Sequence, residues 1–255
     1  MASIPSSTHY YTTEIDWNSI LQKQEGGSSS IFPKQQHWED FLVKFPVTKN
    51  DDEQKKKRND IFDAFDPNGN GYLSLAEIDK GCRDVLDLYK LFDAKKPIMR
   101  AYQNAKGIAG HNKTNNNNTK LDGDDYVERS EFRLVLLYLR DYFLLWKLFD
   151  HIDGCNNIAT SNSSTSSSIT TNKDGRIDLN EFRNATPQLE ILFGIELIQQ
   201  QRSNNDDNED LIKSEFSKID VNDGGYILFD EFANWALTLI CTKSSSVSSS
   251  SSSSS

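Results

Sequence analysis

Apolar residues recur at helical spacing along most of the chain, and polar stretches separate the periodic segments. The first clear pattern lies between residues 37 and 45 and ends at Pro46; its apolar positions are Trp38, Phe41, Leu42 and Phe45. This helix either packs on the body of the protein or faces a partner. Further helices are predicted over residues 51–65, 75–89, 130–152, 208–219 and 229–241, from Pro97 onward, and from 179 to about 200. Because almost every element is helical, the sequence predicts an all-α fold.

Polar stretches without apolar periodicity divide the chain further. Residues 1–35 and the serine-rich residues 244–255 are predicted to be disordered. Residues 107–119, which are rich in asparagine, and residues 154–169, which are rich in serine, threonine and asparagine, are predicted insertions in loops. The periodic segments then fall into two predicted lobes, residues 36–140 and 141–243.

The turn that follows the helix over residues 51–65 has a specific order of oxygen-bearing residues. In a twelve-residue EF-hand calcium loop, ligands come from positions 1, 3, 5, 7, 9 and 12, and a glycine at position 6 allows a sharp turn. Gly71 occupies position 6, and the candidate ligands in order are Asp66, Asn68, Asn70, Tyr72 (through its backbone carbonyl), Ser74 and Glu77. A polar turn between helices could share some of these residues, but the complete order favours a calcium site, which we call loop 1.

A second good match, loop 4, covers residues 220–231. Gly225 lies at position 6, and the candidate ligands are Asp220, Asn222, Tyr226 (through its carbonyl) and Glu231. Gly224 at position 5 and Leu228 at position 9 supply no side-chain oxygen. We expect calcium to bind here with water filling both gaps, at a cost in affinity.

A third candidate, loop 3, ends at Glu181 and is interrupted by an insertion. Its positions 3, 5, 7, 9 and 12 are Asn172, Asp174, Arg176 (through its carbonyl), Asp178 and Glu181. Counting back places Thr170, a poor ligand, at position 1. Asp153 is the better candidate, because residues 149–153 parallel residues 62–66 at the start of loop 1. A 17-residue insertion would then separate position 1 from the other positions of loop 3. The alternative to calcium binding here is a broken loop that serves only as scaffold.

Loop 2, residues 120–131, is predicted not to bind calcium. Lys120 places an ammonium at position 1, and Asp125 replaces the glycine at position 6, where it would take a left-handed conformation at some strain. EF-hands pair through a short two-strand contact at position 8, and all four residues there are apolar: Leu73, Val127, Ile177 and Ile227. The sequence therefore predicts two lobes of paired EF-hands, with loop 1 beside loop 2 and loop 3 beside loop 4.

The amino-acid composition limits the classes of partner and the cellular compartment that we expect for this protein. The net charge of −10 and the pI near 4.9 argue against nucleic acid and anionic membranes and favour a protein that gathers carboxylates around a cation. Cys82, Cys155 and Cys241 show neither disulfide nor zinc spacing, and the N-terminus shows no secretory signal, so a reducing intracellular compartment is expected. The segment over residues 132–149 is mainly apolar but contains four charged residues. It therefore predicts a buried helix rather than a membrane span.

Several motifs that extend beyond the loops point to a family. They are Trp38, Phe45-Pro46, Gly81-Cys82-Arg-Asp-Val-Leu86, the long aromatic segment over residues 131–143, Phe149-Asp-His-Ile-Asp153 and Asp230-Glu-Phe-Ala-Asn-Trp-Ala236. With the degenerate second loop, they resemble the flagellar calcium-binding proteins, or calflagins, of flagellated protists over residues 36–241. The resemblance implies a calcium-responsive flagellar protein without catalytic activity. Family members typically carry an acylated Met-Gly N-terminus with a nearby cysteine; residue 2 here is Ala and no cysteine precedes Cys82, so acyl anchoring is not expected.

Two functional hypotheses remain open from the sequence. The first is a calcium sensor or buffer that acts on one or a few dedicated protein targets, because Met99 is the only methionine after Met1 and promiscuous grooves are methionine-rich. The second is a structural flagellar or cytoskeletal protein whose EF-hands serve mainly as scaffold. An enzyme is not predicted, since the chain shows no nucleophile elbow, phosphate-binding glycine loop or zinc motif.

Overall fold

The computed structural model describes residues 14–22, 36–106, 125–154, 173–195 and 205–247. The helices are α1 Trp17–Gln22, α2 Gln36–Leu42, α3 Asp52–Phe65, α4 Leu75–Asp84, α5 Tyr89–Ala94, α6 Lys96–Ala105, α7 Phe132–Ile152, α8 Leu179–Phe193, α9 Asn205–Ile219 and α10 Phe229–Val247. The strands are β1 Tyr72–Leu73 and β2 Val127–Glu128. The mainly helical prediction is confirmed. The insertion at 107–119 and nearly all of that at 154–169 lie outside the described residues.

Loop residues form a capping box at the start of two exit helices, α4 and α8. Ser74 accepts a hydrogen bond from the backbone N–H of Glu77, and the Glu77 carboxylate accepts one from the N–H of Ser74, which completes a capping box at the start of α4. Asp178 and Glu181 form the same arrangement at the start of α8. Positions 9 and 12 of these loops therefore start the exit helix as well as carrying candidate ligands.

Residue 14 and the described residues between 36 and 146 form one compact unit. The rings of Phe62 and Phe65 on α3 pack edge-on against Phe132 of α7, at centroid distances of 5.3 and 5.4 Å. Phe41 of α2 lies 5.0 Å from Phe143 of α7, so α2 packs on the body of this unit. The apolar stripe predicted for α3 thus faces the core.

The described residues of 15–22 and 147–247 form the second unit, and the division falls inside α7 between Trp146 and Lys147. The ring of Phe149 packs edge-on against Phe229 and Phe232 of α10, at 5.7 and 5.8 Å. In the described ranges, no helix combines the length and the apolar composition needed to cross a membrane.

Short β-contacts join the loops in pairs. Leu73 of β1 pairs with Val127 of β2 in an antiparallel register. Ile177 and Ile227 form an isolated antiparallel bridge, and each donates its backbone N–H to the carbonyl of the other, at 3.0 and 2.9 Å. All four side chains are fully buried. The pairing predicted from position 8, loop 1 with loop 2 and loop 3 with loop 4, is confirmed.

The structure differs from the sequence prediction at both ends of the chain. Helix α1 lies within the predicted disordered arm; Ile15 and Trp17 are 6% and 2% exposed, and α1 packs on α8. Burial of one indole ring removes enough apolar surface from water to fix a short segment that has no repeating pattern. At the other end, α10 continues through Val247 into the predicted tail, because extending an existing helix costs less than starting one.

The helices near the loops differ in smaller ways. Helix α2 ends at Leu42, three residues before the predicted end, although Phe45 is still buried. Helix α4 ends at Asp84, five residues before the predicted end at 89, and the short helix α5, which begins at Tyr89, was not predicted as a separate helix. Helix α8 ends at Phe193, earlier than the predicted end near residue 200, and the next residue, Gly194, has a φ of 58° and forms the left-handed cap that glycine allows.

Candidate metal centres

Loop 1 is closed by hydrogen bonds between its candidate ligands and its own backbone. Asp66 accepts hydrogen bonds from the N–H groups of Asn70 and Gly71, at 3.2 and 2.8 Å. The Asn68 side-chain amide donates to the Glu77 carboxylate at 2.6 Å. This contact joins positions 3 and 12, so candidate ligands from the two ends of loop 1 lie together.

The remaining candidate ligands of loop 1 are also held locally. Asn70 accepts from the N–H of Tyr72 at 2.8 Å, and the Ser74 hydroxyl donates to Glu77 at 2.8 Å. Gly71 has a φ of 82°, in the left-handed region that favours glycine, and this lets the chain turn while its N–H points to Asp66.

Loop 4 repeats the arrangement of loop 1. Asp220 accepts from the N–H groups of Gly224 and Gly225, at 2.9 and 2.8 Å, and Gly225 has a φ of 78°. The Asn222 side-chain amide donates to Glu231 at 2.6 Å, the same distance as between positions 3 and 12 of loop 1. The two loops are therefore closed by matching contacts, although loop 4 lacks side-chain oxygens at positions 5 and 9.

Loop 3 closes through Asp153 in spite of the insertion. Asp153 accepts from the N–H groups of Asp174 and Gly175, at 3.1 and 2.9 Å, across 21 and 22 residues of chain. These are the contacts that Asp66 and Asp220 make to positions 5 and 6 of their own loops. Gly175 has a φ of 79°. The structure thus places Asp153, as the sequence predicts, where a position-1 aspartate lies; Asn172 and Thr170 lie outside the described residues.

The entry to each of these loops has a common sequence signal. The N–H groups of Asp66, Asp153 and Asp220 each donate to the carbonyl of a phenylalanine four residues earlier, at 3.0, 2.9 and 2.9 Å. These phenylalanines are buried. A buried phenylalanine in the last helical turn therefore sets where the loop begins, which explains why the parallel between residues 62–66 and 149–153 identifies Asp153.

Loop 3 carries its negative charge in a buried setting. Asp153 and Glu181 are each only 3% exposed. Burial raises the pKa of Glu181 to about 7, and the carboxylates of Asp178, Asp153 and Asp174 act in the same direction. Burial also raises the pKa of Asp153, against the two N–H groups that it accepts. A cation in this loop would relieve both the repulsion and the cost of burying charge.

The carboxylates of loop 3 are nevertheless not gathered around one point. Asp174 at position 5 pairs with the guanidinium of Arg176, with Arg176 Nη2 at 2.9 Å from Asp174 Oδ2. Over the described ranges, no three His, Cys, Asp or Glu side chains form a cluster that could hold a metal ion by themselves. A metal ion in any of the three loops would therefore also need amide or main-chain oxygens, which calcium accepts as ligands.

Loop 2 is held by protein groups. The hydroxyl of Tyr102 on α6 donates to the backbone carbonyl of Asp125, and Lys106 Nζ lies 2.8 Å from Asp125 Oδ1. The left-handed conformation predicted for Asp125 stays a prediction, because its φ angle involves Asp124, which lies outside the described residues. Residues 120–124, including Lys120, lie outside the described residues.

Comparison with known proteins identifies the family. The model of the FCaBP EF-hand domain matches residues 42–139, and an EF-hand model matches residues 171–185. Flagellar calcium-binding proteins TB-17 and TB-24 of Trypanosoma brucei brucei are each 32% identical to this chain over 206 residues, which is 79% of this chain and 71% and 76% of theirs. The chain belongs to the flagellar calcium-binding protein family. The flagellar calcium-binding protein of Trypanosoma cruzi is 30% identical over 203 residues, 78% of this chain and 77% of its own length.

Family membership confirms the resemblance inferred from the motifs. Sequence reasoning missed the residues of this family member that hold loop 2, namely Tyr102, Lys106 and Arg129. Arg129 lies over the Phe62 ring, 4.2 Å from its centroid, and pairs with Asp63 on α3. No local signal marks these contacts, because they join residues 23, 19 and 66 positions apart.

Proposed function

We propose that this protein is a calcium sensor of the flagellum that binds the ion at loops 1, 3 and 4. Calcium binding itself follows from the EF-hand units of its family. The observation that carries the assignment to three loops is their shared closure. In each, an aspartate at position 1 accepts the N–H groups of positions 5 and 6.

The loops would differ in affinity because their ligand sets differ. Loop 1 offers two carboxylates, two amides, one hydroxyl and one main-chain carbonyl. Loop 4 lacks side-chain oxygens at positions 5 and 9, so water must complete its set, and we expect weaker binding there. Loop 3 has four acidic residues, but its closure spans the insertion and Asp174 must leave Arg176 to bind the ion.

A sensing role is supported by the way in which the loops join the exit helices. Glu77 is both the position-12 candidate ligand of loop 1 and the third residue of α4, where it caps the helix. Glu181 has the same two roles at α8. When calcium engages these carboxylates, the hydrogen bonds that start the exit helices must change. Binding is therefore linked to the helix ends, and such a change can be passed to a protein target.

The scaffold hypothesis has one observation in its favour, which is that the described part of loop 2 is held by contacts from Tyr102 and Lys106. If this extended to the whole protein, calcium would change neither the near-UV circular dichroism nor the melting temperature. A ligand that binds the native state must raise the melting temperature, so an increase with calcium relative to chelator supports the sensor and an unchanged value supports the scaffold.

The flagellar setting is proposed from the relatives, which are named as flagellar calcium-binding proteins. We expect one or a few protein targets. Pull-down from flagellar extracts with calcium or chelator tests this setting, and recovery of the same proteins in both conditions contradicts a sensing role.

Isothermal titration at micromolar calcium tests the number of sites. We expect three ions per wild-type chain and two in each of Glu77→Gln, Glu181→Gln and Glu231→Gln, because each change weakens the position-12 ligand of one loop. Glu131→Gln is the matched control, since it alters position 12 of loop 2 and should leave the stoichiometry at three. Absence of binding heat in the wild type would overturn the proposal, and an unchanged stoichiometry in Glu181→Gln would remove loop 3 from it.

A further inference from the structure

The residue at position 6 makes a defined hydrogen bond in each of the four loops. In loops 1, 3 and 4, the N–H of the position-6 glycine donates to the position-1 aspartate, at 2.8, 2.9 and 2.8 Å. In loop 2, the position-6 residue is Asp125, and its carbonyl accepts from the hydroxyl of Tyr102 on α6. Position 6 of loop 2 is thus contacted from a neighbouring helix.

The Tyr102 contact is built into the core of its unit. Tyr102 is 5% exposed, so its ring is anchored, and burial raises the pKa of its hydroxyl, which keeps the proton that it donates. Lys106, the residue directly after α6, pairs with the carboxylate of the same Asp125. The Asp125 side chain is 88% exposed, and solvent-exposed ion pairs contribute little to stability. The buried hydroxyl therefore provides the firmer of the two contacts.

The hold on Asp125 extends to loop 1 through two further contacts. Two residues after Asp125, the fully buried Val127 pairs with the equally buried Leu73. The ring of Tyr126, the residue between Asp125 and Val127, lies 6.3 Å from the ring of Tyr72. Tyr72 is position 7 of loop 1, where the backbone carbonyl is the candidate ligand. A displacement of Asp125 would therefore move the strand that sets this carbonyl.

We propose that Tyr102 is a positioning residue for the calcium site of loop 1. Its hydroxyl holds Asp125 beside the strand that pairs with loop 1, so loop 1 binds calcium against a partner that protein contacts keep in place. Arg129 secures the other end of loop 2 to α3, through Asp63 and the carbonyl of Asn59. The inference rests on the proposed function in one respect, which is that loop 1 binds calcium.

Tyr102→Phe tests the inference because it removes the hydroxyl and keeps the ring. The parent is Glu181→Gln/Glu231→Gln, in which loop 1 alone is expected to bind. We expect the calcium affinity of loop 1 to fall about threefold to tenfold, the ratio that loss of one hydrogen bond produces, at unchanged stoichiometry. Lys106→Met should weaken binding by less than Tyr102→Phe does, since the hydroxyl remains.

Tyr142→Phe is the matched control. The Tyr142 hydroxyl accepts a hydrogen bond from the side-chain amide of Asn104 on α6. Like the Tyr102 contact, this bond involves α6, but it joins α6 to α7 rather than to loop 2. We expect Tyr142→Phe to lower the melting temperature and to leave the calcium affinity of loop 1 unchanged. Circular dichroism must show each variant folded, which separates affinity from stability.

The outcomes are distinguishable. Equal calcium affinity in Tyr102→Phe and its parent overturns the positioning role, as does an equal loss in Tyr142→Phe. A smaller loss in Tyr102→Phe than in Lys106→Met shows that the ion pair carries the effect and also overturns it. If the parent binds no calcium at all, the proposed function of loop 1 has failed, and the positioning role fails with it. If Tyr102→Phe does not fold while Tyr142→Phe does, the hydroxyl is a general structural contact and the proposal is overturned.

Discussion

Deletion of residues 154–170 should strengthen calcium binding at loop 3. The deletion would join Asp153 directly to Thr171 and restore a loop of normal length, with Asp153 at position 1 and Asp174 at position 5. In the native chain these two residues are 21 apart, whereas positions 1 and 5 are 4 apart in loops 1 and 4. The longer segment must lose more conformational freedom when its ends come together.

The size of the effect follows from this ratio of lengths. The closure free energy differs by (3/2)RT ln(21/4), which is about 1.5 kcal/mol and corresponds to about tenfold in affinity. This is an upper limit, because Asp153 already accepts the N–H groups of Asp174 and Gly175 without an ion. Part of the closure therefore precedes binding. We expect an increase of about twofold to tenfold.

The assay is isothermal titration in a Glu77→Gln/Glu231→Gln background, where loop 3 alone is expected to bind. Deletion of residues 107–119, the other insertion, is the control and should leave loop 3 unchanged. An affinity that is unchanged or lower after deletion of residues 154–170 would refute the closure argument. It would mean that the inserted segment supplies contacts that offset its entropy.

Two further predictions concern buried groups of the second unit. Trp17→Ala should destabilise this unit by about 3 kcal/mol, the cost of removing a large buried aromatic side chain, and should lower its melting temperature. Asn18→Ala, which changes an exposed residue of the same helix, should leave the melting temperature unchanged. Equal melting temperatures of the two variants would show that α1 is not part of the fold. Calcium should displace about half a proton from loop 3 at pH 7, because the pKa of Glu181 is raised to about 7 and the ion requires the carboxylate form. The affinity of loop 3 should therefore fall as the pH drops below 7. Titration in two buffers of different ionisation enthalpy measures the proton, and equal heats in both buffers would contradict the assignment of this pKa.

The sequence predicts the loops well because their information is local. Twelve consecutive residues define loop 1, and the apolar residue at position 8 predicts the pairing of Leu73 with Val127 and of Ile177 with Ile227. Even the position of Asp153 is predicted, since Phe149 and Asp153 repeat the spacing of Phe62 and Asp66. A helix end and a ligand order are patterns that one segment contains by itself.

The contacts that hold loop 2 could not be predicted in this way. Tyr102 and Asp125 lie on either side of an asparagine-rich insertion, and periodicity identifies Tyr102 only as a residue that faces inward. The loop spacing identifies Asp125 only as the residue at position 6, and it gives no sign that its carbonyl accepts a hydrogen bond from Tyr102 on α6. Helix α1 was missed for a related reason. Its burial depends on Ile15 and Trp17, which are too few residues to form a periodic pattern.

The most direct test of the account is a crystal structure of the calcium-bound protein, with the ions located by anomalous scattering. The account predicts three ions, in loops 1, 3 and 4, and an ion in loop 3 that is held by both Asp153 and Glu181. Ions in loops 1 and 4 alone would contradict it, as would a loop 3 ion that Asp153 does not touch.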